Sequence, residues 1–302
     1  MDIEFGTDGW RTTREEFTDP RIRAVGQAVA DYLRASDRSG TVAVGYDPRE
    51  GSRSAAEELC RVLCANGFDA LIPDRDTPTP VVAWTVRNRD LAGALQVTAS
   101  HNPAAYNGIK FIPAGGAPAL PAVTDRLADN LREPVSLPEH EWGTVTETDF
   151  LEPYLDHALD FVETDLSGLT VAHDAMHGSG RGVTDELLAR AGADVVRLRA
   201  DRDPEFGGGS PEPSAARLRD LEERVQDGEA ELGIANDGDS DRIAVVTPER
   251  GVVDANWLFV ALYDSLLEEE ILEGEAPRAS DASSAERSSA DHSSGPSPRE
   301  DG

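Results

Sequence analysis

Hydrophobic positions in the first part of the chain alternate between helical spacing and short continuous runs. The helical spacing predicts helices that begin at Asp19, Ser52, Thr79 and Pro121, and each of them follows or precedes a predicted strand. The apolar runs predict strands at Thr41–Tyr46, Phe68–Ile72, Leu91–Val97 and Ile109–Ile112. Alternating strands and helices are typical of a layered α/β domain.

A stretch rich in proline and glutamate, from Arg132 to Trp142, interrupts this pattern before it resumes near Asp149. The second part predicts helices at Gly182–Arg190 and Ser214–Val225, and strands at Leu169–Ala172, Val195–Leu198, Leu232–Ala235 and Ile243–Val246. We therefore expect two consecutive mixed-sheet α/β domains, at 1–136 and 149–253.

The C-terminal part of the chain follows a different pattern. A helix at Asn256–Leu267 predicts the start of a third domain, at 254–272. Residues 273–302 contain no aromatic and no aliphatic β-branched side chain, and they are rich in serine, alanine and acidic residues. Such a segment cannot bury enough apolar surface to offset its ordering entropy, so we expect a disordered tail.

The net charge of the chain limits which classes of molecule it can bind. The chain of 302 residues carries 58 acidic residues and 28 basic ones, which gives a formal net charge of −30 at pH 7. This charge would repel a phosphate backbone, so nucleic acid is not an expected partner. Acidic residues occur along the whole chain, which predicts a solvated surface of the halophilic kind.

Targeting signals and cysteines bear on the location of the protein and on its thiols. No basic-then-apolar leader precedes Phe5, and no apolar run approaches the roughly 20 residues that cross a bilayer, so a cytoplasmic protein without membrane contact is expected. Cys60 and Cys64 are four residues apart in a helical pattern, and we expect both to be buried free thiols. The oligomeric state stays open.

Three carboxylates at alternate positions form the strongest local motif. Asp237, Asp239 and Asp241 lie between two predicted strands, and in an extended segment alternate side chains share one face. Oxygen-only ligands suit a hard cation such as Mg²⁺, with coordination positions left for phosphate or water. The spacing excludes an EF-hand loop, because its sixth position is Arg242 instead of glycine. The alternative is a solvated acidic turn.

A second candidate site follows the predicted strand that ends at Val97. Ser100 lies in the loop Thr98–Pro103, and open α/β sheets bind ligands at the carboxyl ends of their strands. The hydroxyl could act as a nucleophile or as a phosphate carrier, or the loop could be only a polar turn. A Ser-His-Asp triad does not fit, because adjacent Ser100 and His101 side chains usually diverge.

These motifs occur in the same order in the α-D-phosphohexomutases, which the chain resembles from Met1 to about Leu267. The resemblance rests on the serine loop with its continuation Asn107–Lys110, and on the acidic loop Asp237–Arg242. The segment Phe5–Arg11 is similar to the N-terminal signature of the family, and Thr77–Pro80 and Asp174–Gly178 match weaker landmarks.

The resemblance implies a reaction and the residues that perform it. Ser100 would carry a phosphoryl group that passes to a hexose phosphate and back, through a hexose 1,6-bisphosphate that also serves as activator. Ser100, Asp237, Asp239 and Asp241 would hold Mg²⁺, which neutralises charge on the transferring group. The substrate would be a glucose or mannose phosphate.

Four basic side chains complete the expected site. Lys110 is the only lysine of the chain, and it fits a general acid/base or phosphate-positioning role that an arginine could not fill. Arg11 and Arg242 would bind phosphate. His101 fits a role in shaping the loop or donating a hydrogen bond better than that of a base.

The sequence also departs from the family. Neither the sugar-recognition loop of its third domain nor the phosphate loop of its fourth domain is found, so we expect turnover to be impaired, because remote binding groups position the substrate. One alternative is therefore a catalytically impaired remnant that binds metal or phosphosugar. Another is an aspartyl phosphatase with Asp237 as nucleophile.

Overall fold

The computed structural model describes residues 3–6, 9–162 and 164–268. Within these ranges the chain up to Val253 forms one compact unit, and the chain from Asp254 forms a second. Of the second unit, the helix Ala255–Glu268 is described, with stacked rings of Phe259 and Tyr263. Thr7 and Asp8 of the N-terminal motif and the stretch 273–302 lie outside the described residues.

The first sheet has seven strands in the order β1-β2-β6-β5-β3-β4-β7. Strands β3, β4, β5 and β7 run parallel to their neighbours in that group, whereas β1, β2 and β6 are paired antiparallel. The bounds are β1 Phe5–Gly6, β2 Gly9–Thr13, β3 Thr41–Tyr46, β4 Asp69–Ile72, β5 Gly93–Val97, β6 Tyr106–Pro113 and β7 Val145–Glu147.

Helices cover both faces of this sheet. Helices α1 (Asp19–Ala35), α2 (Ser52–Ala65) and α4 (Pro121–Asp129) share a core with Val42 and Val44 of β3. Helices α3 (Thr79–Asn88) and α5 (Leu151–Val162) share a second core with Ala43. Successive residues of a strand point to opposite faces, so a three-layer α/β/α arrangement follows.

The second sheet has five strands in the order β12-β11-β10-β8-β9, and it is also mixed. Leu221 and Val225 of helix α7 are buried against it, as the helical spacing of apolar residues in that segment requires. The bounds are β8 Thr170–Asp174, α6 Thr184–Arg190, β9 Asp194–Leu198, α7 Arg219–Gln226, β10 Leu232–Asn236, β11 Ile243–Thr247 and β12 Gly251–Val252.

The expected fold class is confirmed, with local differences. Strand β7 lies between the two predicted domains, and it extends the first sheet through parallel pairing with β4. Strands this short carry too few alternating positions to be recognised by periodicity, and β1 and β12, of two residues each, went unpredicted for the same reason. Strand β2 has five residues, but Trp10 is its only large apolar side chain, so it carries no apolar run. Helix α7 begins at Arg219 and not at Ser214, because residues 214–218 form turns.

The topology determines where loops can meet. The parallel strands β3 and β5 lie side by side and end at Tyr46 and Val97, so the segments that follow them leave the same edge of the first sheet. In the second sheet, β8 and β10 are parallel neighbours and β10 ends at Asn236. Loops at such edges are where α/β folds bind ligands. Among the described residues, no helix has both the length and the apolar character that a membrane span requires.

Candidate active site

The serine loop is a tightly held turn at the end of β5. Ser100 is buried, and its φ of 51° lies in the left-handed region that non-glycine residues seldom adopt. Its backbone N–H donates to Thr98 Oγ1 at 2.8 Å, and the Thr98 N–H donates to the carbonyl oxygen of Gly108 at 2.9 Å. A strained serine held in this way is typical of a functional position.

The three carboxylates of the acidic loop converge as expected, but through a different backbone shape. Their oxygens lie within 4.8 Å of one another. The residues after β10 form a turn with Ser240 at a φ of 58°, and not an extended segment, since the chain must reverse direction to enter the antiparallel strand β11. Asp239 Oδ1 is buried without a hydrogen-bond partner, so the cluster offers an uncommitted oxygen that fits a divalent cation.

The two loops contact each other directly. Ser100 Oγ donates a hydrogen bond to Asp237 Oδ2 at 2.8 Å, across 137 residues of chain. The backbones are equally close, because a Cβ added at Gly238 would lie 2.7 Å from the carbonyl oxygen of Ser100. Only glycine fits at this point. The hydroxyl of the first sheet and the carboxylates of the second sheet therefore form one site.

Lys110 lies between two of these carboxylates. Its Nζ is 2.9 Å from Asp239 Oδ2 and 2.6 Å from Asp241 Oδ2. Burial by itself would lower the pKa of Lys110, but the charges of Asp239 and Asp241 outweigh it and raise that pKa. The side chain is therefore a charged proton donor in this arrangement.

The carboxylates differ in their affinity for a proton. Burial, followed by the negative charges of Asp239 and Asp241, raises the pKa of Asp237 to about 8. Burial also acts to raise the pKa of Asp239, but the nearby Lys110 ammonium reverses the effect and lowers it. The repulsion among these three carboxylates, of which Asp237 and Asp239 are buried, is what a bound divalent cation would relieve.

The remaining predicted side chains lie around the serine. His101 Nδ1 is 3.4 Å from Ser100 Oγ, and burial, followed by the charge of Arg242, lowers the pKa of His101. Arg11 Nη1 donates to Asn102 Oδ1 at 3.5 Å. The backbone N–H of Arg242 donates to Asp237 Oδ1 at 3.1 Å, while its guanidinium lies 3.8 Å from Glu212.

Side-chain contacts that join the loops of the two sheets were not predicted from the sequence. Arg181 donates two hydrogen bonds to the buried carboxylate of Asp76, at 2.7 and 2.5 Å. Beside it, Thr79 donates from its N–H to the Asp239 carbonyl oxygen at 2.9 Å and from Oγ1 to Asp239 Oδ2 at 2.7 Å. These contacts hold the acidic loop against the first sheet.

A second group that went unpredicted lies under the serine loop. Arg49 and Asp47 form an ion pair with fully buried side chains, with Arg49 Nε 2.8 Å from Asp47 Oδ2. Asp47 also accepts a hydrogen bond from Thr98 Oγ1 at 2.8 Å. The sequence could have indicated this pair only by its position, because Asp47-Pro48-Arg49 directly follows β3 at the edge of the sheet where α/β folds bind ligands.

Two family models match this chain. Residues 2–136 match domain I of the phosphoglucomutase/phosphomannomutase family, described as an alpha/beta/alpha domain, and residues 152–251 match its alpha/beta/alpha domain II. Together they cover both loops of the site and the strands that carry them.

Individual proteins that are similar to this chain agree with the family match. A probable phosphoglucosamine mutase of Methanopyrus kandleri is 33% identical over 88% of this chain, and a phosphopentomutase of Thermococcus kodakarensis is 33% identical over 88% of it. Each match covers 58% of the relative. The crystal structure of a putative phosphomannomutase from Thermus thermophilus superposes with a TM-score of 0.78 at 29% identity, covering 87% of this chain and 62% of that one. The chain thus spans about three fifths of these relatives, and it belongs to the phosphoglucomutase/phosphomannomutase family.

Proposed function

We propose that this chain carries the phosphoserine centre of a phosphohexomutase, with Ser100 as the phosphoryl carrier. The observation that supports it most is the 2.8 Å hydrogen bond between Ser100 Oγ and Asp237 Oδ2, which joins the serine loop to the acidic loop. A polar turn or a solvated acidic loop has no reason to bury both groups against each other, since burying charge without a function is costly.

The acidic loop is proposed to hold Mg²⁺. Asp237, Asp239 and Asp241 supply the oxygens, and Ser100 lies close enough to contribute a phosphate oxygen once it is phosphorylated. When bound, the cation would act as a Lewis acid that neutralises charge on the phosphoryl group.

Lys110 is proposed as the acid/base group of the transfer. When a sugar bisphosphate phosphorylates Ser100, the bond between phosphorus and the sugar oxygen breaks and a bond from phosphorus to Ser100 Oγ forms. The hydroxyl proton of Ser100 must reach the departing sugar oxygen. Lys110 is charged beside the acidic loop and can donate its own proton to the departing sugar oxygen, and the proton that Ser100 Oγ releases then restores the charged lysine. Arg11, Arg242 and His101 are proposed to bind phosphate or shape the loop.

The substrate class is proposed to be a sugar phosphate. Glucose and mannose phosphates are the first candidates, and the names of the relatives add glucosamine and pentose phosphates. The aspartyl phosphatase alternative has less support, because Asp237 is fully buried and both of its oxygens accept hydrogen bonds, from Ser100 and from the Arg242 N–H.

The test is phosphorylation of Ser100 itself. We expect intact-mass analysis and peptide mapping, after incubation with Mg²⁺ and glucose 1,6-bisphosphate, to find one phosphoryl group on Ser100. The Ser100→Ala variant should take up none, whereas Ser167→Ala, which removes an exposed hydroxyl in the segment before β8, should behave as wild type. Phosphate at any other residue, or unchanged phosphorylation of Ser100→Ala, would refute the assignment.

A turnover assay separates the mutase from the impaired remnant. The chain would be supplied with glucose, mannose or glucosamine 1-phosphate, together with the bisphosphate and Mg²⁺. Formation of the 6-phosphate identifies the substrate and excludes the remnant. Phosphorylation of Ser100 without turnover supports the remnant, because carrier chemistry is then intact and productive substrate binding is not.

A further inference from the structure

Arg49 is a buried arginine whose hydrogen-bonding capacity is entirely used. Its guanidinium has five N–H donors, and the structure shows five acceptors. Besides the bond from Nε to Asp47, Nη2 donates to the carbonyl oxygens of Ser100 at 2.6 Å and Asn102 at 2.7 Å. Nη1 donates to the carbonyl oxygens of Pro103 at 2.8 Å and Tyr106 at 3.1 Å.

Four of these five bonds end on the backbone of the serine loop and of the residue where β6 begins. A loop has no regular partners for its carbonyl groups, and a buried carbonyl without a partner is costly. Arg49 supplies those partners from one rigid, planar group. The loop conformation, with its left-handed Ser100, is thereby specified by a side chain that lies 51 residues earlier in the chain.

The face of the guanidinium is covered as well. Arg49 Cζ lies 4.8 Å from the ring centroid of Phe206, which is fully buried and belongs to the second half of the chain. A cation over an aromatic face is attracted to it. The neighbouring Ser210 Oγ donates to the carbonyl oxygen of His101, so the segment from Phe206 to Ser210 closes over the serine loop.

We propose that Arg49 is the positioning residue of the serine loop: it holds four carbonyl groups so that Ser100 Oγ faces Asp237. The effect on phosphoryl transfer rests on the proposed function above, whereas the effect on the loop does not. Arg49 is too deeply buried to touch a substrate, and it acts through Ser100.

The test compares Arg49→Lys with wild type and with Arg53→Lys. Arg53 is the second residue of α2, is about half exposed and forms surface ion pairs with Glu57 and Glu147, so it is a matched control. A lysine ammonium has three donors and no planar fork, and it cannot replace all five bonds. Hydrogen exchange of the 98–106 backbone should accelerate in Arg49→Lys, while exchange of the β10 and β11 strands stays at the wild-type rate.

The functional readout is the rate at which glucose 1,6-bisphosphate phosphorylates Ser100. We expect the maximal rate in Arg49→Lys to fall about 100-fold, the cost of displacing a reacting group by roughly 1 Å, with little change in the bisphosphate concentration for half-maximal rate. Mn²⁺ affinity of the unphosphorylated chain should stay at the wild-type value, since the three carboxylates that would bind the ion follow strand β10 of the second sheet. Loss of Mn²⁺ binding would mean general unfolding and would overturn the positioning role.

Unchanged exchange of residues 98–106 in Arg49→Lys would also overturn the proposal, whatever the rate of phosphorylation. Failure of the wild-type chain to carry phosphate on Ser100 would instead refute the proposed function. In that case the exchange measurement still decides whether Arg49 holds the loop.

Discussion

Removal of Arg181 should destabilise the protein far more than removal of an exposed arginine. In Arg181→Met the Asp76 carboxylate, about 6% exposed, loses both of its hydrogen bonds from the guanidinium. The carbonyl oxygen of Gly178 loses a third, of 2.6 Å. Breaking a buried pair by removing one partner costs about 3–5 kcal/mol, because an uncompensated charge stays buried.

A neighbouring charge reduces that cost. The guanidinium of Arg75 lies 3.9 Å from Asp76 Oδ2 and remains in the variant. We therefore expect a loss at the lower end, about 3 kcal/mol, which for a unit of this size corresponds to a decrease in Tm of about 6–12 °C. Urea denaturation followed by far-UV circular dichroism measures the free energy of unfolding directly.

Two variants test whether the uncompensated buried charge of Asp76 causes the loss of stability. Arg224→Met removes an exposed partner of Glu229 and should cost less than about 1 kcal/mol. The double variant Asp76→Leu/Arg181→Met removes both buried charges and should be more stable than Arg181→Met alone. The explanation would be wrong if Arg181→Met lost no more unfolding free energy than Arg224→Met. It would also be wrong if the double variant were less stable than Arg181→Met.

Four further outcomes are expected. Burial raises the pKa of Cys60 to about 12, so a thiol reagent at pH 8 should modify Cys60 only after unfolding, and rapid reaction of native protein would contradict this. Gly238→Ala should slow phosphorylation of Ser100, because a Cβ would lie 2.7 Å from the Ser100 carbonyl oxygen; a wild-type rate would show that the loops can separate. Lys110→Arg should abolish transfer in both directions if Lys110 moves a proton, whereas dephosphorylation of Ser100 at the wild-type rate would make it a point charge. The pKa of Asp237 is about 8 in the folded state and roughly 3.9 in the unfolded state, so between these pH values the folded state binds one more proton. The free energy of unfolding of the metal-free protein should therefore decrease as pH rises from about 4 to 8. In Asp237→Asn, measured in EDTA, this pH dependence should be absent.

Local chemistry was available from the sequence by itself. The periodicity of apolar positions predicts the two α/β domains, because burying one face of a helix or strand imposes a spacing of 3.6 or 2 residues. Asp237, Asp239 and Asp241 are neighbours along the chain, so their convergence needs only a short loop. Ser100 could be recognised because it lies in the loop that follows a predicted strand.

Tertiary structure alone decided how those parts are joined. The hydrogen bond from Ser100 to Asp237 spans 137 residues, and the pair of Asp76 and Arg181 spans 105. No periodic pattern marks such pairs, since each depends on which strands are neighbours in the sheets. Arg49 is the clearest case: one arginine among many in the sequence, it is distinguished only by four backbone carbonyl groups that the folded loop turns toward it.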